Sequence, residues 1–62
     1  MASVIVHYSK RHKGFLVRLI QVKEKYSVNI FAPKGALHSY GFSSLTAAQT
    51  FMHAFIKSLN KS

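Results

Sequence analysis

The sequence predicts a small α+β domain, with an antiparallel meander sheet of three to four strands and one C-terminal amphipathic helix packed on one face. Two observations lead to this fold class. Residues 4–42 contain short runs rich in β-branched and aromatic residues, separated by turn-forming residues. From residue 45 onward, apolar residues recur every three or four positions, which is the period of a helix face. The 62 residues suffice for a single domain, 1–62.

Four strands are predicted, at about 4–8, 15–22, 26–31 and 38–42. The third shows strict period-2 alternation, which indicates one buried face and one face toward solvent or a ligand. The three residues 23–25 are short enough for a hairpin connection, although no Asn-Gly pair fixes the turn type. Pro33 ends the third strand because it cannot donate to a ladder, and Lys34-Gly35 supplies the next turn.

The helix is predicted at about 45–59. Its apolar seam consists of Leu45, Ala48, Met52, Phe55 and Leu59, widened by Phe51 and Ile56. Ser44 is the expected N-cap, with Ser43 as the alternative. Lys57 and Lys61 suit the negative end of the helix dipole.

Alternation also assigns strand residues to the two faces of the sheet. Under the helix we expect Val4, Val6, Tyr8, Phe15, Val17, Leu19, Tyr26, Val28, Ile30, His38, Tyr40 and Phe42. On the uncovered face we expect Ile5, His7, Leu16, Arg18, Ile20, Ser27, Asn29 and Phe31. A register shift of one residue would exchange the two sets.

The composition excludes several kinds of chemistry. Nine Lys and Arg residues face one acid, Glu24, and the formal net charge is +8. A hydrolase with paired carboxylates and a Mg²⁺ or Ca²⁺ site built from carboxylates are therefore excluded. The chain has no cysteine, so disulfides and thiolate metal sites are excluded too.

The four histidines, at positions 7, 12, 38 and 53, show no helical zinc spacing, and no phosphate-binding glycine motif is present. We therefore expect a protein that is not an enzyme and takes no cofactor, metal or small-molecule substrate. A histidine-dependent ribonuclease using His7 and His38 stays open as a third interpretation.

No membrane segment is expected, because the longest apolar runs are three residues long. The first residues lack the charged segment of a secretory signal. Together with the absence of cysteine, this predicts a cytoplasmic protein.

The predicted contact surface combines a basic loop at residues 10–14 with the uncovered sheet face. Its members are Lys10, Arg11, Lys13, Arg18, Asn29, Phe31 and Lys34. Lys and Arg in a loop can hold phosphate oxygens, while Arg18, Asn29 and Phe31 can meet bases or sugars. A solvated hairpin tip is the alternative interpretation of the loop.

Two functions fit this surface. The first is a small, basic, non-enzymatic nucleic-acid-binding module that uses the open sheet face and the basic loop, with DNA and RNA both possible. The second is a homodimeric adaptor or regulator that docks on an acidic protein partner, with the copies joined through the open sheet face.

Residues 26–51 resemble three-stranded-sheet-plus-helix DNA-binding modules, of the type of the ethylene-response-factor domain and the integrase arm-binding domain. Gly41, Phe42, Ser44 and Ala48 occupy the places of the family's Gly, Phe, cap and Ala-rich helix start. The resemblance implies a sheet laid in the major groove, with Arg18 at a comparable position in mid-strand. In the family the helix opens with acids and the Gly and Phe are separated, and here neither holds.

Overall fold

The computed structural model describes residues 3–61, which form one four-stranded antiparallel sheet and one helix. The sheet order is β1-β2-β3-β4, so each strand pairs with its neighbour in sequence. The elements are β1 Val4–His12, β2 Phe15–Val22, β3 Lys25–Phe31, β4 Leu37–Phe42 and α1 Leu45–Lys61. The predicted α+β meander with a C-terminal helix is confirmed.

The two hairpin turns each contain two residues. Between β1 and β2, Lys13 and Gly14 both have positive φ, at 50° and 85°. Two positive φ values characterise a type I′ turn, whose twist matches that of the flanking strands. Between β2 and β3, Lys23 has a φ of 58°. A non-glycine residue in this region costs about 1–2 kcal/mol unless local contacts offset it.

The core lies between α1 and one face of the sheet. It is built by two residues of each central strand and two of the helix: Val17, Leu19, Val28, Ile30, Ala48 and Met52, all at most 2% exposed. Aromatic rings close its ends, with Phe55 of the helix set edge-on against Phe15 at a centroid distance of 5.8 Å. Phe51 packs on Tyr40 and Phe42 of β4. The helix therefore crosses from the end of β4 toward the start of β2.

Ser44 is the N-cap of the helix. Its Oγ accepts a hydrogen bond from the backbone N–H of Ala47, 3.1 Å away, which supplies a partner for one of the donors that a helix start leaves unpaired. Of the two serines considered from the sequence, the structure selects the one adjacent to the helix.

A β-bulge in β1 overturns the predicted faces of that strand. Val6 pairs with Ile20 and Tyr8 with Leu19, so His7 is an extra residue in the ladder. The bulge changes the phase of the alternation. Tyr8 packs against the core as expected. By register, Val4 and Val6 lie on the face opposite the helix, where Ile5 and His7 were expected. Ile5 and His7 lie on the helix side.

We call the face opposite α1 the open face. By register it forms four rows across the sheet, and from one end to the other they are Val4, Val22 and Lys25; Val6, Ile20, Ser27 and Gly41; Ser9, Arg18, Asn29 and Ser39; and Arg11, Leu16, Phe31 and Leu37. One polar row, from Ser9 to Ser39, is thus flanked by apolar side chains on both sides.

Candidate nucleic-acid interface

The basic loop expected at 10–14 is mostly strand. β1 continues to His12, and only Lys13 and Gly14 form the turn. Because strand residues alternate, Lys10 and Arg11 lie on opposite faces of the sheet, with Lys10 opposite Val17 and Arg11 opposite Leu16. The charges of this segment therefore surround the end of the hairpin instead of lining one side of it.

The β1–β2 turn lies beside the loop between β3 and β4. A methyl group placed on Gly14 would come within 3.0 Å of Pro33 Cγ, so the glycine backbone packs directly against the proline ring. The loop itself is closed by two backbone hydrogen bonds, from Gly35 N to the carbonyl of Ala32 and from Ala32 N to the carbonyl of Ala36. This contact brings Lys34 to the same end of the sheet as Lys13.

The helix adds two further lysines to this end. Phe55 packs on Phe15, the first residue after the β1–β2 turn, so the helix runs toward that turn. Lys57 and Lys61 follow Phe55 along the helix and are exposed. We call the cluster of Lys10, Arg11, Lys13, Lys34, Lys57 and Lys61 the basic end.

The opposite end of the sheet has a different charge balance. The β2–β3 turn holds Glu24, the single acid of the sequence, between Lys23 and Lys25. Six of the nine Lys and Arg residues are thus at one end, and the acid is at the other. The sequence does not reveal this asymmetry, because Lys57 and Lys61 join the other four only through the direction of the helix.

Arg18 and Asn29, both predicted contact residues, are directly paired across β2 and β3. Ser39 of β4 donates a hydrogen bond from its hydroxyl to Asn29 Oδ1 at 2.8 Å, which fixes the orientation of the amide. Arg18 Nε has no exposed surface and no hydrogen-bond partner among residues 3–61. The polar row therefore holds a guanidinium whose inner nitrogen is already removed from water.

Phe31 lies on the open face, as predicted, at 37% exposure. It is flanked by Leu16 on β2 and by Leu37 on β4. This apolar row separates Arg18 and Asn29 from the turns of the basic end. The seven predicted contact residues consequently form two groups, with only Arg11 of the basic end lying on the open face.

The histidines are engaged in local contacts. His7 Nε2 lies 2.6 Å from Gln21 Oε1, and His12 Nε2 accepts or donates in a 2.6 Å hydrogen bond with the hydroxyl of Tyr8. His38 lies on β4, at the far edge of the sheet from His7 on β1. Two strands separate these residues, so they do not serve as the acid and base of one reaction.

No enclosed site is found near these groups. The largest depression, of about 750 Å³, is open to solvent and is lined by residues of the β2–β3 turn, including Lys23 and Glu24, away from the basic end. Within residues 3–61, no three His, Asp or Glu side chains are placed to share a metal ion. The same part of the chain has no helix with the length and apolarity needed to cross a bilayer.

Comparison with known proteins gives no match: no protein-family model, no curated protein and no solved structure is similar to this chain. The resemblance of residues 26–51 to the sheet-plus-helix DNA-binding modules thus stays a prediction from the sequence.

Proposed function

We propose that this protein is a nucleic-acid-binding module without catalytic activity, and that its basic end holds the phosphate backbone. The observation that carries the proposal is the placement of six of the nine Lys and Arg residues at one end and of Glu24 at the other. The proposal includes the cytoplasm as the working compartment, in keeping with the absence of cysteine.

The charge asymmetry gives the molecule an electrostatic direction. A polyanion is attracted to the basic end from a distance of about 10 Å at 0.1 M salt and meets that end first. Each phosphate that a Lys or Arg neutralises releases condensed counterions, so affinity falls as salt rises. Contacts of this kind carry no sequence information, and we expect binding that depends little on base sequence.

The proposal assigns phosphate contact to Lys10, Arg11, Lys13 and Lys34 of the predicted residues, with Lys57 and Lys61 added from the helix. It leaves Arg18, Asn29 and Phe31 outside the phosphate contact, because the row of Leu16, Phe31 and Leu37 lies between them and the turns.

The test compares two variants that lose the same number of positive charges. One carries Lys10→Gln, Arg11→Gln and Lys13→Gln at the basic end. Its matched control carries Arg18→Gln, Lys23→Gln and Lys25→Gln elsewhere on the sheet. Binding to a short duplex DNA and to a single-stranded RNA of mixed sequence is followed by fluorescence anisotropy across a salt series.

If ~4–6 phosphates are contacted, the slope of log K against log salt is about −4 to −5 for duplex DNA in the wild type. The basic-end variant is expected to lose about 2.7 from the magnitude of that slope, and the control to keep the slope nearly unchanged. Equal losses in the two variants would mean that only net charge matters. A wild-type slope near −1, or no binding at low salt, would refute the proposal.

A further inference from the structure

We propose that the open face is the docking site for an amphipathic helix of another protein, and that this helix carries a carboxylate side chain within its apolar stripe. The proposal concerns a surface other than the basic end and does not rest on the proposed nucleic-acid function. Four observations lead to it: the surface area of the chain, the apolar rows, the state of Arg18 and the single acid.

The chain exposes more surface than a compact protein of its mass. Its accessible area is 4527 Å² at 7.0 kDa, whereas a monomer of this mass exposes about 4,000 Å². The excess of about 500 Å² is close to the area of four strands lying side by side at about 4.8 Å spacing over about 25 Å. Covering that face would bury about 1,000 Å² from both molecules, which is the lower limit of specific interfaces.

The open face offers apolar contacts on both sides of its polar row. Val4, Val6 and Leu37 are each more than half exposed, and Phe31 is 37% exposed. Contiguous apolar surface of this extent on a small protein marks an interaction site. Aliphatic side chains predominate, which suits packing by protein side chains better than base stacking, because stacking uses aromatic platforms.

Arg18 determines the chemistry of the occupant. Its Nε has no exposed surface and no hydrogen-bond partner within residues 3–61. Any molecule that covers the face removes the rest of the guanidinium from water, which is costly unless the occupant supplies acceptors. A carboxylate satisfies a guanidinium with two parallel hydrogen bonds, so an acidic side chain opposite Arg18 is the best complement.

A second copy of this chain does not supply that complement. The only acidic side chain of the sequence is Glu24, which lies in the β2–β3 turn and not on the open face. Stacking two open faces would enclose two Arg18 side chains without an acid between them. The charge balance therefore favours a different protein over a homodimer at this surface.

The dimensions of the face fit a helix. Its strands of six to nine residues give a surface about 25 Å long, and the 17 residues of α1 cover the same length on the other side. A docked helix would complete a helix–sheet–helix sandwich. The basic end attracts the negative end of a helix dipole, so we expect the C-terminus of the docked helix to lie there.

The test uses two synthetic helical peptides of about 18 residues with identical composition. Both have a stripe of Leu and Ala. One places a Glu in the stripe about one turn from its C-terminal end and a Gln on the opposite side, and the other exchanges the two. Because their net charges are equal, general attraction to the basic protein cancels. Binding to the wild type and to Arg18→Gln is measured by calorimetry, and methyl NMR locates the contact.

We expect the peptide with Glu in the stripe to bind the wild type at least about tenfold more tightly than its isomer, and Arg18→Gln to abolish that preference. The methyl signals of Val6 and Ile20 should shift, and those of buried Leu19 should not. Equal binding of the two peptides, or no binding by either, overturns the proposal. It is also overturned if rising protein concentration alone shifts the open-face methyls, which would assign the face to a second copy, or if DNA or RNA does so, which would assign it to nucleic acid.

Discussion

The two faces of the sheet are made from the same strand and differ in what covers them. On β2, Val17 and Leu19 point toward α1 and are fully buried, while Leu16 and Ile20 on the other side are only half-buried. The four residues are equally apolar. The difference arises because one helix of 17 residues can cover only one face. Apolar character in a strand therefore indicates that a residue will be buried in a contact, and the chain alone supplies that contact on one side.

The largest expected effect tests this difference directly. Leu19→Ala removes methyl groups from the closed core and should lower the free energy of unfolding by about 2–5 kcal/mol. Ile20→Ala, the next residue on the open face, should cost about 1 kcal/mol because much of its surface is already in water. Urea denaturation of both variants measures the two costs. Equal costs would show that the open face is as tightly packed in solution as the covered face.

The bulge in β1 offers a second test, through two single deletions. Deleting His7 leaves a continuous ladder in which Val6 and Tyr8 keep their partners, so only the hydrogen bond to Gln21 is lost. We expect this change to cost about 1 kcal/mol. Deleting Ser9 instead removes the bulge by shifting the strand, and places Tyr8 on the open face.

Because Tyr8 packs against the core, the deletion of Ser9 should cost more than that of His7, by about 1–3 kcal/mol. Thermal unfolding followed by circular dichroism ranks the two variants. The reverse order would mean that the bulge is not where the faces of β1 change phase.

A smaller effect concerns the attachment of the helix that distinguishes the faces. Ser44→Ala removes the acceptor of the Ala47 N–H and should destabilise the protein by about 1 kcal/mol. Ser43→Ala is the matched control, since Ser43 is exposed and lies outside the cap, and it should be nearly neutral. Denaturant midpoints for the two variants check the difference, and similar midpoints would refute the capping role of Ser44.

The sequence was sufficient to predict the helix and the central strands, because in both cases the burial pattern repeats at the period of the element. Val28 and Ile30 are buried as their alternation indicates, and Ala48 and Met52 as the helical period indicates. The faces of β1 were predicted wrongly, because an extra residue in a ladder leaves no mark in the alternation of Val4, Val6 and Tyr8.

The candidate site was predictable only in part. Lys10, Arg11 and Lys13 are neighbours in sequence, and Arg18 and Asn29 followed from strand alternation. The approach of Lys34, Lys57 and Lys61 to the same end depends on which turns are adjacent and on the direction of the helix. Those are properties of the folded chain, and no local pattern encodes them.

The packing of Gly14 on Pro33 has a consequence for binding. Two turns that touch in this way cannot reorient independently, so the cations they carry keep nearly fixed separations before any ligand arrives. Binding a phosphate backbone then requires little ordering of the main chain, and the entropy lost is mainly that of the lysine and arginine side chains. In the terms of molecular recognition, the contact makes this end of the protein preorganised.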